Sequence, residues 1–224
     1  MKAEIWNVVL AAGQSTRMEG THKLLKKLED ESTILKYTVK KISANMASKT
    51  MVVLNRDFPD LENEIRDLPV NIVWNPCPKL GISSSLATAI KSLPSTCEAL
   101  LITLADQPEI KVEVMNGVII KYLISKNPLI ITSYKGKIRH PILFGELYFK
   151  ELLNLKGDQG AKLLISANKE KAHIYYEDEK APEDIDTMED YRRLLKRRNE
   201  IDLCRKVSET NRGCQVSVRR RDIY

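Results

Sequence analysis

A glycine turn with hydroxyl and cationic neighbours follows the first apolar run of the chain. Residues 10–18 read Leu-Ala-Ala-Gly-Gln-Ser-Thr-Arg-Met, and Lys23 comes shortly after them. Gly13 has no side chain, so the backbone N–H groups beside it can approach a ligand closely. Ser15 adds a hydroxyl donor, while Arg17 and Lys23 add positive charge. This combination predicts a loop at the end of a strand that binds the phosphates of an anionic nucleotide.

The spacing of these residues excludes two common phosphate-binding patterns. No second glycine is followed by Lys-Ser or Lys-Thr, as a Walker A loop requires, and Gly13 and Gly20 do not form Gly-x-Gly-x-x-Gly. An oxidoreductase that binds a nicotinamide cofactor needs the second motif and is therefore disfavoured. An ordinary α/β turn without a ligand is the remaining structural alternative.

Acidic residues later in the chain are candidate metal ligands. Asp106 stands just past the apolar run at residues 100–104, where α/β sheets place their ligands. A carboxylate there, facing the Gly13 loop, is suited to hold Mg²⁺ against triphosphate oxygens. Asp186 and Asp184 are candidates for a second ligand, since alternate residues of an extended segment share a face. The structural alternatives are that Asp106 caps the next helix or forms a turn, and that Asp186 or Thr187 caps the last helix.

Three successive serines follow a glycine in the segment Gly-Ile-Ser-Ser-Ser-Leu, residues 81–86. The apolar residues behind them recur at helical spacing, which places the serines at a helix N-terminus. Serine is a favoured capping residue, and one serine suffices for a cap. Three hydroxyls behind Gly81 therefore favour contact with a base or ribose, through Ser83, Ser84 and Ser85.

Short apolar runs alternate with helical patterns along the whole chain. Continuous runs of this kind predict strands that are covered on both faces; they lie at residues 8–10, 51–54, 72–74, 100–102 and 129–131. The helical patterns between them include one over residues 34–46, with Ser32 or Thr33 as N-cap. Gly136 predicts a hairpin between residues 130–134 and 139–144. The fold class is thus α/β, a three-layer α/β/α arrangement around a mostly parallel, doubly wound, Rossmann-like sheet.

Six motifs in one order give the chain a family resemblance over residues 5–195. Together they resemble the molybdenum cofactor cytidylyltransferase branch of the nucleotidyltransferases, and they read Leu-Ala-Ala-Gly-x-Ser-x-Arg-Met, Gly-Ile-Ser-Ser-Ser-Leu, Leu-Ala-Asp-Gln-Pro, Arg-His-Pro-Ile-Leu-Phe, Gly-Asp-Gln-Gly-Ala-Lys and Asp-Ile-Asp-Thr-Met-Glu-Asp-Tyr. The resemblance implies a nucleotidyltransferase sheet and Mg²⁺-dependent transfer of CMP from CTP to molybdopterin, with release of pyrophosphate. It also implies a molybdenum hydroxylase as the partner that receives the product.

The same resemblance assigns roles to individual residues. Arg17 and Lys23 would stabilise charge on the departing pyrophosphate, and Asp106 with Asp186 would hold the metal. The backbone of Leu10, Ala11 and Ala12, together with the serine segment, would read the nucleobase. His140 and Asp158 would lie on the acceptor side. The guanylyl branch has Leu-Ala-Gly-Gly where this chain has Leu-Ala-Ala-Gly, which favours CTP over GTP.

Several alternatives to this reading stay open. Relatives with the same fold act on sugar or alcohol phosphates, and a catalytically silent nucleotide-binding module would share the same loop. The chain departs from the family pattern at one point, since the spacing from Arg17 to Lys23 is one residue longer than usual. An added residue in this loop could displace the Lys23 ammonium and so weaken catalysis. A phosphate monoester acceptor is already ionised near pH 7, so the reaction needs no general base.

The charge of the chain is concentrated near its end. The net charge is +6, and residues 192–224 alone hold 11 of the 36 Lys and Arg residues against 4 of the 30 Asp and Glu residues. Part of this charge belongs to the polar face of the last helix, so nucleic-acid binding is not expected. We expect a nucleotidyltransferase domain over residues 1–198 and a basic, poorly ordered tail over 199–224. No run approaches the ~20 apolar residues of a membrane span, and the expected location is the cytoplasm.

Overall fold

The structure is a computed structural model that describes residues 3–15, 22–158, 160–201 and 203. Its strands are β1 (Ile5–Ala11), β2 (Lys49–Asn55), β3 (Asn71–Asn75), β4 (Ala99–Leu104), β5 (Leu129–Tyr134), β6 (Lys137–Gly145) and β7 (His173–Glu177). Its helices are α1 (Ile34–Ile42), α2 (Asp60–Ile65), α3 (Ile82–Ser92), α4 (Val112–Ser125), α5 (Phe149–Leu153) and α6 (Lys162–Ala167). A final helix covers residues 188–201. Short 3-10 helices lie at Lys23–Leu25, Pro78–Leu80 and Glu146–Tyr148.

The seven strands form one sheet in the order β3-β2-β1-β4-β6-β5-β7. β6 runs antiparallel to β4 and β5, and the other pairings are parallel. The chain proceeds outward from β1 to β2 and β3 on one side, then crosses to β4 on the other side. The strand order therefore reverses between β1 and β4, and α/β sheets bind ligands beside such a reversal.

Both faces of the sheet are buried, which explains the continuous apolar runs. In β1, Ile5, Val9 and Ala11 join the core on one face, and Trp6, Val8 and Leu10 join the core on the other. The first core is closed by α1, α2, α4 and the final helix, and the second by α3, α5 and α6. The three-layer α/β/α prediction is therefore confirmed.

The predicted hairpin and the N-cap of α1 are confirmed, whereas the predicted length of α1 is wrong. The hairpin at Gly136 is present, since β5 and β6 pair there and Gly136 has a φ of 84°. Thr33 is the N-cap of α1, because its hydroxyl accepts from the backbone N–H of Lys36. The helix predicted over residues 34–46 is too long, since α1 ends at Ile42. None of the helices in the described ranges has the length and apolar character needed to cross a membrane.

The final helix is anchored to the body of the domain by its arginines. Arg197 pairs with Glu109, and Arg198 pairs with Glu29 at 2.9 Å. Arg198 also lies over the ring of Tyr37, 4.2 Å from its centroid. The helix passes residue 198 and continues to 201, while most of the tail predicted over 199–224 lies outside the described residues. At least these two basic residues therefore serve contacts within the chain.

Candidate active site

The ends of β1 and β4 lie side by side and bring the glycine turn next to Asp106. Leu10 pairs with Leu104 in the sheet, and the backbone N–H of Ala105 donates to the carbonyl of Leu10 at 3.1 Å. The chain leaves β1 toward Gly13 and leaves β4 toward Asp106 at this same edge. The predicted juxtaposition of the loop with Asp106 thus follows from the parallel pairing of these two strands.

Lys23 connects the two carboxylates that were predicted to hold a metal. Its ammonium Nζ lies 2.6 Å from Oδ2 of Asp106 and 2.7 Å from Oδ1 of Asp186. The Lys23 side chain is 11% exposed, that of Asp106 21% and that of Asp186 41%. Residues from three distant parts of the sequence therefore form one charged cluster, which we call the Lys23 cluster, and it opens to solvent at Asp186.

The position of Lys23 is fixed at its backbone. Lys23 begins a 3-10 helix, and its N–H donates to Oγ of Ser15 at 2.7 Å. Ser15 adopts a left-handed conformation with a φ of 53°. Its hydroxyl thus ties the turn after β1 to the 3-10 helix. Ser15, predicted to bind phosphate, therefore also holds the backbone of the lysine.

Asp186 is not the N-cap of the final helix, because that role belongs to Thr187. The hydroxyl of Thr187 accepts from the N–H of Asp190, and the carboxylate of Asp190 accepts in return from the N–H of Thr187 at 2.8 Å. Upstream of this cap, the N–H of Ile185 donates to the carbonyl of Asp106 at 3.0 Å. This hydrogen bond holds the segment before the helix against the end of β4, within reach of Lys23.

The electrostatics of the Lys23 cluster favour a further cation. Burial opposes the charge of Lys23, but Asp106 and Asp186 outweigh it and raise the pKa of Lys23, which stays protonated. Burial raises the pKa of Asp106. Lys23 lowers this pKa, whereas the negative charges of Asp184 and Asp186 raise it further. The other oxygen of Asp106, Oδ1, is buried without a hydrogen-bond partner among the described residues.

Two carboxylates with a buried acceptor suit a magnesium ion that arrives on a nucleotide. Mg²⁺ in nucleotide enzymes usually takes one or two carboxylates and completes its shell with phosphate oxygens and water. Among the described residues there is no cluster of three or more His, Cys, Asp or Glu that would enclose a metal by protein alone. Asp106 also does not cap the following helix, since the N-cap of α4 is Lys111; it lies in the turn after β4.

A cavity of about 410 Å³ lies beside the cluster and contains much of the predicted nucleotide-binding set. Its walls include Leu10, Ala12, Gly13, Ser15, Gly81, Ser85 and Asp106. A Cβ atom added at Gly13 would meet nothing within 4 Å, so packing within the described chain does not demand glycine there. The space that the described residues leave in front of Gly13 would let a ligand approach the backbone. Ala11 points into the core instead and is 2% exposed.

The three serines of α3 differ in what they face. The N-cap is Gly81, so the alternative that a serine caps the helix is wrong. The Ser83 hydroxyl donates to the carbonyl of Leu80, and that of Ser84 donates to the carbonyl of Gly81 at 2.8 Å. Neither lines the cavity, whereas Ser85 does. The structure thus places one of the three predicted serines, Ser85, in the wall of the smaller cavity.

We predict that Ser85→Ala weakens nucleotide binding and Ser84→Ala does not. Each hydroxyl accepts a hydrogen bond from the side-chain amide of Asn75, Ser85 at 3.0 Å and Ser84 at 2.8 Å, and Ser84 also donates to the carbonyl of Gly81. Ser84→Ala therefore removes at least as many internal hydrogen bonds as Ser85→Ala. Of the two residues, only Ser85 lines the cavity. Loss of one hydrogen bond to a ligand corresponds to an affinity decrease of roughly 3–10-fold, which isothermal titration with CTP and Mg²⁺ measures. Equal affinities of the two variants would contradict the placement.

A larger cavity of about 760 Å³ adjoins the first and holds the predicted acceptor residues. Its apolar lining includes Leu86, Ile102, Ile142, Phe144 and Ile165, and its basic lining includes Lys137, Arg139, Lys162 and Lys169. His140 lines this cavity, and burial lowers its pKa to about 4, so its imidazole is neutral near pH 7. Asp158 lines both cavities and marks their boundary.

Gln107 and His22 are site residues that the sequence analysis did not assign. Gln107 is 2% exposed, and its amide nitrogen donates to Asp184 at 2.7 Å in the wall of the larger cavity. Its place in Leu-Ala-Asp-Gln-Pro, beside the metal candidate Asp106, is the signal that could have identified it. His22 is buried beside Lys23. Arg17, predicted as a catalytic and nucleotide-binding residue, lies outside the described residues.

Comparisons with known proteins agree with this arrangement. The profile of the MobA-like NTP transferase domain matches residues 7–173. The purine catabolism protein PucB of Bacillus subtilis (strain 168) is 28% identical over 194 residues, which cover 82% of this chain and 92% of PucB. The crystal structure of the Rv0371c homologue from Mycobacterium sp. strain JC1 is 27% identical with a TM-score of 0.79, over 90% of this chain and 100% of that one. Rv0371c from Mycobacterium tuberculosis H37Rv, in complex with manganese, is 25% identical with a TM-score of 0.74, over 87% and 99%.

Proposed function

Since the chain belongs to the MobA-like NTP transferase domain family and is a nucleotidyltransferase, we propose that it transfers CMP from CTP to molybdopterin and releases pyrophosphate. One observation carries this proposal: Lys23, Asp106 and Asp186 meet at the switch point of the sheet, beside a cavity in which no atom of the described residues fills the space in front of Gly13. This arrangement supplies positive charge and metal ligands where a triphosphate would enter. Nucleotidyl transfer depends mainly on such positioning and charge neutralisation.

The residues present fit a bound Mg²⁺, and we assign its ligation to Asp106 and Asp186. When bound, the ion supplies charge neutralisation at the phosphates. The solved Rv0371c structure with manganese supports a divalent cation in this family. Lys23 contributes a cation that is already held in the same cluster, and Ser15 keeps its backbone in place. Arg17 is proposed to add a second positive charge on the pyrophosphate side.

The choice of CTP rests on the wall of the smaller cavity. Ala12 lies in that wall, at the position where the guanylyl branch has glycine. Its methyl group takes up space that a larger purine base would need. Ser85 adds a hydroxyl in the same wall, at the first turn of α3, where a base or ribose can be contacted. The methyl group of Ala12 thus supports a pyrimidine base, and Ser85 supplies a contact for the bound nucleotide.

The choice of a molybdopterin phosphate rests on the larger cavity. Its volume of about 760 Å³ and its apolar lining suit a planar, multi-ring acceptor better than a sugar phosphate, which would expose its hydroxyls to apolar walls. The basic residues, with Arg139 and Lys162 among them, suit the phosphate. That phosphate is ionised near pH 7 and acts as the nucleophile itself. His140 is therefore not needed as a general base.

The experiment is a pyrophosphate-release assay with matched donors and acceptors. The purified protein is incubated with Mg²⁺ and either CTP or GTP, together with molybdopterin, a hexose 1-phosphate or an alcohol phosphate. We expect release with CTP and molybdopterin and formation of the cytidylylated pterin. A sugar or alcohol phosphate as sole productive acceptor would overturn the pterin assignment, and release with GTP alone would overturn the assignment of CTP. Absence of release with every pair would favour the catalytically silent module.

A further inference from the structure

His22 joins the two ends of the loop that carries the predicted phosphate contacts. Its Nε2 lies 3.1 Å from the carbonyl oxygen of Gly13, and its Nδ1 accepts from the backbone N–H of Leu24 at 3.3 Å. The ring packs against Phe58 with 4.5 Å between centroids, and His22 is 7% exposed. One imidazole thus connects the turn after β1 to the 3-10 helix that begins at Lys23.

The two contacts together define one tautomer of His22. A carbonyl oxygen can only accept a hydrogen bond, so Nε2 must carry the proton that faces Gly13. A backbone N–H can only donate, so Nδ1 must present its lone pair to Leu24. A protonated imidazole would point a second N–H at the N–H of Leu24. Burial lowers the pKa of His22 and Lys23 acts in the same direction, against the raising effect of the Gly13 carbonyl.

The two hydrogen bonds of His22 lie directly before Lys23, the residue whose ammonium pairs with Asp106 and Asp186. Lys23 follows His22 in sequence, and its own N–H is held by Ser15. The Gly13 carbonyl and the Ser15 hydroxyl therefore fix the backbone at residues 22 and 23 from one side. Three other hydrogen bonds would have to adjust if this backbone moved: those of Lys23 to Asp106 and to Asp186, and that of the Leu24 N–H to His22.

We propose that His22 is a positioning residue for nucleotidyl transfer: its Nε2–H tautomer latches the Gly13 turn to the start of the 3-10 helix and thereby places the Lys23 ammonium at the triphosphate. This inference rests on the proposed function of the site, because it assigns His22 a role through Lys23 and Gly13. His22 touches neither cavity and donates nothing to a substrate. Its contribution is the relative position of the backbone at Gly13 and the ammonium of Lys23.

The test separates the two nitrogen atoms of the imidazole. Gln places an amide N–H near the position of Nε2, so His22→Gln keeps the donor to Gly13. Asn places its carbonyl near the position of Nδ1, so His22→Asn keeps the helix cap and gives up the bridge. His173→Asn is the control, since His173 is exposed on β7. For each variant, titration with CTP and Mg²⁺ gives the Kd, pyrophosphate release gives kcat and KM, and thermal unfolding reports folding.

We expect His22→Asn to fold and to lose about 10–100-fold in kcat/KM, by analogy with the loss that follows removal of hydrogen-bond partners that orient metal ligands. We expect His22→Gln to retain activity within about threefold, and His173→Asn to match the parent protein. A His22→Asn variant with parental kinetics would overturn the proposal. So would a His22→Gln variant as impaired as His22→Asn, because the imidazole would then matter only for its shape.

The variant Lys23→Met distinguishes failure of the positioning role of His22 from failure of the proposed function. If Lys23→Met leaves nucleotide binding and turnover unchanged, the assignment of the site itself fails. If Lys23→Met is impaired while His22→Asn is not, the site assignment holds and only the positioning role of His22 fails. Impairment of both, with rescue by His22→Gln, supports both inferences.

Discussion

Asp106→Asn is expected to lower turnover by about 10²–10³-fold and to weaken Mn²⁺ binding at least tenfold. The substitution replaces a charged metal ligand with a neutral amide of the same size, and losing one such electrostatic contact in a transition state has about this effect. Folding is expected to survive, because burial raises the pKa of Asp106 and the fold therefore gains little from its charge. Pyrophosphate release, Mn²⁺ titration calorimetry and thermal unfolding measure the three quantities.

Asp67→Asn is the matched control for this variant. Asp67 also pairs with a lysine, since Lys36 Nζ lies 2.7 Å from its Oδ2, but the pair lies on the surface away from both cavities. Removal of an exposed ion pair changes stability by at most about 1 kcal/mol, and turnover is expected to stay at the parental level. Parental turnover in Asp106→Asn as well would show that the metal site lies elsewhere.

Lys23→Met is expected to reduce turnover by about 10²–10³-fold, as Asp106→Asn does. Unlike Asp106→Asn, it is not expected to weaken Mn²⁺ binding. The variant removes the ammonium that lies at 2.6 Å and 2.7 Å from the two carboxylates. Asp106 and Asp186 then face each other without that cation, so Mn²⁺ is expected to bind at least as tightly as to the parent. Steady-state kinetics with CTP and Mn²⁺ titration in the absence of nucleotide provide the two readouts.

Lys36→Met, the other half of the surface ion pair, is the control for the lysine substitution. It removes the same charge from a position that faces neither cavity. The two active-site variants are expected to differ in Mn²⁺ binding. Asp106→Asn loses both Mn²⁺ affinity and activity, whereas Lys23→Met keeps Mn²⁺ affinity and loses activity. Equal loss of Mn²⁺ binding in both would mean that Lys23 supports the structure of the metal site and does not act on phosphate.

The fold was predictable because its signals are local. Continuous apolar runs such as the one in β2 require burial on both faces, and Gly136 marks a sharp reversal between two predicted strands. Asp106 could be placed at the ligand edge from its position after β4 alone. These inferences need the order of elements along the chain and no knowledge of distant contacts.

The composition of the Lys23 cluster was only partly predictable. The sequence predicts that Lys23 contacts phosphate and that Asp186 binds a metal, but residues separated by 163 positions share no spacing rule. The contact between them depends on how the segment before the final helix packs against the end of β4. His22 shows the same limit, since its neighbours Gly13 and Phe58 come from different elements.

The serines of α3 show that a sequence motif does not reveal which of its residues face a ligand. Successive helical residues are about 100° apart around the axis, so three in a row cannot all face one cavity. A run of three hydroxyls indicates that one of them faces the ligand without showing which. The structure distinguishes them, because Ser84 turns back to the carbonyl of Gly81 while Ser85 lines the cavity.

The proposed active site can be tested by a crystal structure of the protein with Mn²⁺ and a non-hydrolysable CTP analogue. We expect an anomalous manganese peak bound by carboxylate oxygens of both Asp106 and Asp186. We also expect the triphosphate in front of Gly13, in contact with the ammonium of Lys23. Manganese held away from either carboxylate, or a triphosphate bound outside the cavity at Gly13, would contradict the proposed site.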